Sequence, residues 1–124
     1  MTIRQILAAC ALAALSLATP GTAPAHHGWS WTTGQNIDLT GVIRKASLGL
    51  PHGILEVDVE GEVWSVEVGQ PWRNERAGIP DGAMAEGVEI RVIGEPSADI
   101  SDRRIKAERL TIGDVEYQLY PGRD

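Results

Sequence analysis

The residues best suited to chemistry are His26, His27 and His52, the three histidines of the chain. His26 and His27 follow Ala23-Pro24-Ala25, a signal-peptidase type of ending with small residues at −3 and −1. Cleavage after Ala25 makes His26 the first residue. Its free α-amine titrates near 8 and its imidazole near 6.5. An N-terminal histidine chelates a metal ion through that amine and its own ring, and His27 and His52 offer further nitrogens. A nitrogen-rich donor set of this kind favours Cu(II), with Zn(II) and Ni(II) behind it. The competing expectation is a solvated dipeptide and an unrelated turn histidine, because no spaced Cys/His framework accompanies them.

The elements that must position these residues begin with the leader. Arg4 supplies a basic start, Ile6–Ala18 is apolar except for Ser16, and Thr19-Pro20-Gly21 breaks the run. Thirteen such residues are too few for a membrane span of about 20. Residues 1–25 therefore read as a signal peptide, and no stable anchor is expected after cleavage. Leu7-Ala8-Ala9-Cys10 resembles an acylation box, but the apolar run continues past Cys10. That cysteine, the only one in the chain, leaves with the leader, as does Arg4. The remainder has no thiol chemistry, which suits a periplasmic or secreted location. The whole chain has a formal net charge of −6, and loss of Arg4 makes the remainder one unit more negative. Such a surface repels nucleic acid and anionic lipid.

Residues 26–36 read as an N-terminal arm with no sustained period. Trp29 and Trp31, two apart, face one way on an extended segment. They either pin the arm to the domain or form a stacking platform. From Ile37 onward the pattern is strand-like. Ile37–Leu48 carries Leu39, Gly41 and Ile43 on one face, with Gly41 read as a bulge or bend. Ile54–Glu60 and Glu62–Val68 alternate cleanly around Gly61 and form a hairpin. Gln70–Gly78 changes to a short helix of about two turns, opened by Pro71 and closed by Gly78. Val88–Gly94, Arg104–Ile112 and Val115–Tyr120 are further strands. The phase slip between Ala107 and Leu110 predicts a bulge, and Pro121-Gly122 is read as the end of the structure. The fold class expected for residues 37–121 is mainly β: a small OB-like Greek-key barrel of five or six strands, with one short helix between the third and fourth. A small open sandwich is the alternative.

Other charged sets have simpler readings. Glu56, Asp58, Glu60 and Glu62 could hold a hard cation such as calcium, but alternation on a solvated sheet face explains them, and no ligand loop accompanies them. Arg103, Arg104, Lys106 and Arg109 form the one basic cluster. It suits a nucleic-acid groove of an OB barrel or, better for an acidic exported chain, cross-strand pairing with acids. Trp64 and Trp72-Arg73 read as core or core-edge residues. There is no Gly-x-Ser-x-Gly, His-Glu-x-x-His, phosphate loop or dinucleotide fingerprint, so no enzyme is expected.

Taken in order, Ala25-His26-His27-Gly28 after a leader, Pro51-His52-Gly53, Trp64, Pro71, Arg76-x-Gly78 and Gly94-x-Pro96 resemble a family of small exported bacterial proteins of unknown function. The resemblance covers most of residues 25–121. That family commonly reads Asn-Pro-His at mid-chain, where this chain has Leu50 before Pro51. The resemblance implies export and a compact β domain, carries over no catalytic residue, and sets His26, His27 and His52 inside recurring motifs. Metal binding through the histidine arm is the leading expectation. A non-enzymatic interaction module that contacts an envelope protein, through a barrel groove or through Trp29 and Trp31, is the second.

Overall fold

In the computed structural model, the described residues are 28–123. The leader and the histidines His26 and His27 lie outside them. Six strands and one helix follow in the order β1 (Ile37–Ser47), β2 (Ile54–Val59), β3 (Glu62–Glu67), α1 (Pro71–Arg76), β4 (Glu89–Pro96), β5 (Arg104–Ile112) and β6 (Val115–Gln118). The sheet runs β3-β2-β1-β4-β5-β6, and an additional pairing of β3 with β5 closes it. That pairing is parallel, whereas all the others between strands are antiparallel. The result is a closed five-stranded barrel of OB topology, with α1 between β3 and β4 and with β6 as an extra strand. Closure pairs sheet edges that would otherwise be open to aggregation.

The alternation of the strands fills the barrel. Ile43, Leu55, Val57, Val66, Ile90, Val92, Ile105 and Leu110 are each at most 1 % exposed. Two glycines let backbones cross where a side chain cannot fit. A Cβ on Gly41 would lie 2.2 Å from the Asp58 carbonyl oxygen, and one on Gly94 would lie 2.1 Å from that of Lys106.

Two features depart from the expected pattern. The irregularity in β1 falls between Ile43 and Lys45, so Arg44 is the extra residue and Gly41 is not. Gly41 is needed for close approach to β2 rather than for a bulge. Trp72 is half exposed and not part of the core edge. Its indole donates to Gln70 Oε1 (2.6 Å) and lies 4.6 Å from the Arg73 guanidinium, which hold it at the surface.

The phase slip in β5 is where it was expected. Ile93 pairs with Arg109 and Gly94 with Ala107, which leaves Glu108 as the bulged residue. Its carbonyl then accepts from both Leu119 and Tyr120, at 2.8 and 3.3 Å. This draws the chain out of β6 two residues before the expected end and packs Leu119 into the core.

Candidate functional site

Strand alternation should turn Glu67, Arg104, Lys106 and Glu108 away from the barrel interior and into water. Instead, Glu67 is 2 % exposed, Lys106 6 % and Glu108 1 %. The reason is that the arm and the segment after β6 cover this part of the outer barrel surface. The arm is tied down by backbone bonds from Thr33 to Pro96 (3.0 Å) and from Ala98 to Trp31 (2.9 Å), with a β-bridge between Thr32 and Ser97. Trp29 packs edge-on against Tyr120 at 5.0 Å. The Arg123 guanidinium lies 3.9 Å from the Trp29 ring centre and Lys106 Nζ 4.9 Å from it. Trp31 receives Arg104 at 3.8 Å. Both tryptophans therefore pin the arm through cations as much as through apolar contact.

Beneath the arm, the buried charges are matched. Glu67 accepts from Lys106 Nζ at 3.0 Å and from Arg104 Nη2 at 2.9 Å. Glu95, also buried, accepts from Arg123 (2.7 Å) and from the Thr32 hydroxyl. Glu108 accepts from Arg123 Nε (3.2 Å) and from the Asn36 amide (2.9 Å). Burial pushes the Glu67 carboxyl up, but the bonds from Lys106 and Arg104 outweigh it and hold it below the usual range. Burial likewise raises Glu95, and Thr32 and Arg123 more than compensate. The Tyr120 phenol is pushed up by burial.

This layer forms one wall of a cleft of about 520 Å³, lined by residues that include Gly28, Trp29, His52, Glu67, Arg73 and Tyr120. His52 reaches it because Gly53 continues the β2–β3 pairing: Gly53 donates to the Gly69 carbonyl and accepts from Val68, both at 2.9 Å. The His52 ring is one-third exposed, with Nε2 3.3 Å from Glu67 Oε1. Gly28 approaches the same wall so closely that a Cβ there would lie 2.9 Å from Lys106 Nζ. The opposite side is set by α1. Asn74 holds its start by accepting from the Gly69 N–H and donating to the Gly69 carbonyl. Gly78, at φ +88°, closes it with a Schellman pair, Gly78 to Glu75 and Ile79 to Asn74.

Of the three candidate ligands, the structure places His52 in the cleft. His26 and His27 fall outside the described residues, but the next residue, Gly28, lines the same cleft. Among the described residues no three His, Cys, Asp or Glu side chains come together as a metal cage. Two of the four residues of the acidic row are occupied otherwise: Asp58 pairs with Arg44 and accepts from the Gly61 N–H, and Glu62 pairs with Arg103. The basic cluster takes the cross-strand role expected of it through Arg103, Arg104 and Lys106. Glu67, Glu95, Glu108, Tyr120 and Arg123 were not singled out by the sequence. Arg123 lies beyond the Pro121-Gly122 expected to end the structure, yet it clamps Trp29. The only advance signal was the phase slip at Glu108.

Residues 13–106 match a family of unknown function (DUF6152). No curated protein matches the chain. Among solved structures, TiaS in complex with a tRNA, AMPCPP and agmatine is similar at 18% identity and a TM-score of 0.48, over 63% of this chain and 18% of that one. A ZRD-deleted TiaS mutant in complex with agmatine is similar at 17% identity and 0.48, over 73% and 24%. The chain thus spans less than a quarter of either structure, and a likeness of this size says nothing of function.

Proposed function

The chain belongs to the DUF6152 family, whose function is unknown, and we propose that it is an exported, periplasmic metal-binding protein without enzymatic activity, with Cu(II) as the preferred ion and Zn(II) second. Cleavage after Ala25 frees His26, which chelates through its amine and ring. His27 and His52 complete the donor set. The observation that carries this reading is that His52 and Gly28, the residue after His27, line one cleft. Glu67, 3.3 Å from His52 Nε2, supports it by placing a carboxylate beside the ring. Lys106 and Arg104 already neutralise Glu67, so the donors are neutral nitrogens, which copper binds most strongly among the first-row divalent ions.

The test is expression of the full chain in a bacterium, recovery from the periplasm, and a mass measurement of the N-terminus. Melting is then followed with and without Cu(II) or Zn(II). Ligand at 100 times its dissociation constant stabilises by about 2.7 kcal/mol, or roughly 11–22 °C for a domain of this size. The rise should vanish when one residue is inserted between Ala25 and His26, and shrink in His52→Ala. No rise, or an equal rise in all three proteins, refutes the proposal.

A second reading, an interaction module for an envelope protein, is favoured by a different surface. Leu48, Pro71, Ile79 and Met84 line a groove of about 420 Å³, and nearby in sequence Leu50 is 79 % exposed. The aromatic faces of Trp29 and Trp31 are already covered by cations, so such a module uses this groove and not the arm. Metal leaves its melting unchanged.

A further inference from the structure

Among the described residues, the charges around the arm and cleft do not balance. Four cations, Lys106, Arg104, Arg123 and Arg73, stand against three buried carboxylates, Glu67, Glu95 and Glu108. The first three cations are paired with those carboxylates. Among the described residues, no carboxylate pairs with Arg73.

Arg73 is nevertheless held in place. Its guanidinium lies 4.2 Å from the Tyr120 ring centre and 4.6 Å from that of Trp72. Nη1 donates to the Leu119 carbonyl at 3.1 Å. Aromatic contacts occupy the guanidinium faces, so its remaining N–H groups lie along its edge. A planar guanidinium matches an oxyanion there with two parallel hydrogen bonds. Fixing it in advance lowers the ordering cost of binding. Gln70 lines the same cleft, and its Oε1 already accepts from the Trp72 indole. Its amide nitrogen is left as a donor.

We propose that Arg73 and Gln70 form a binding site for a small oxyanion, a carboxylate or a phosphate group, on the α1 side of this cleft. The site does not rest on the metal reading, because neither residue is among the proposed ligands. It is tested on protein from the full chain, with EDTA present so that metal plays no part. Acetate and inorganic phosphate are titrated separately by calorimetry at constant ionic strength, with chloride as the reference anion. Saturable binding is expected for at least one of them, and the one that binds identifies the class. Arg73→Gln should weaken it roughly tenfold or more, the usual effect of losing charge-assisted bonds. Gln70→Ala and Arg73→Lys, which keep more of the local packing, should weaken it less and serve if Arg73→Gln does not fold. Absence of saturable binding to either anion beyond the chloride reference, or unchanged affinity in the folded variants, overturns the proposal.

Discussion

Replacement of Lys106 by methionine tests the buried layer under the arm most directly. Lys106 is 6 % exposed and its partner Glu67 2 %. Breaking a buried ion pair from one side costs about 3–5 kcal/mol, because the other charge is left unpaired. Here Glu67 retains Arg104 at 2.9 Å, so the lower end applies. Loss of the cation over Trp29 adds about 0.5–1 kcal/mol, and the methionine side chain restores part of the apolar packing. The expected net loss is about 3 kcal/mol, or roughly 12–24 °C in melting temperature. Urea unfolding followed by tryptophan emission measures it at pH 7 with a chelator present. Glu67→Gln should also destabilise, by leaving Lys106 and Arg104 without their acid. The double variant should lose less than the two single losses together, by about 1 kcal/mol or more. A Lys106→Met loss below about 0.5 kcal/mol, or strict additivity with Glu67→Gln, refutes the coupled buried pair.

Three further outcomes follow from the same layer and from the barrel crossings. Glu67 and Glu95 have depressed carboxyl pKa values in the fold, so their stabilisation is full above the unfolded value of about 4.3 and is lost as pH falls through the folded values. Stability should drop steeply below that point, and less steeply in Glu67→Gln, as read by denaturation at pH 3 to 7. Arg123→Gln removes the partner of Glu95 and Glu108 and the cation over Trp29. It should cost about 3 kcal/mol or more, since two buried carboxylates lose their cation, and shift tryptophan emission to the red as Trp29 becomes wetter. Gly94→Ala places a Cβ against the Lys106 carbonyl and should cost about 2–4 kcal/mol. The control Gly34→Ala, in open space at φ +77°, should cost only about 1–2 kcal/mol. Equal losses at both glycines, measured by thermal unfolding, argue against the close crossing.

The barrel was legible because period-two alternation is a direct record of which face is dry. Leu55 and Val57 in β2, and Ile90 and Val92 in β4, are buried as that pattern requires. Proline and glycine marked α1, and the slip after Ala107 marked the bulge. The site was much less legible. The same alternation assigns Glu67 and Lys106 to water, and nothing local says that Trp29 and Tyr120, far from one or both of them in the chain, will roof them. The parallel β3–β5 contact that brings Glu67 to Lys106 is likewise non-local. The position of Gly41 was visible but its reason was not, since a glycine needed for close approach and one needed for a bulge look alike in sequence. His52 could be named from its residue type, whereas its place beside Glu67 depends on the Gly53–Gly69 bond.

The clamp on Trp29 has a consequence for the order of assembly. Arg123, which stacks on that ring and bridges Glu95 to Glu108, is the last described residue, and Trp29 is the second. The barrel can close through β5 without it, and Trp31–Thr33 can pair along Pro96–Ala98, but Trp29 has no seat until Tyr120 and Arg123 stand beside it. The wall of the cleft that Trp29 and Tyr120 share is therefore complete only once residues 120–123 have folded back onto the barrel, and a ligand that needs that wall is held only after they have.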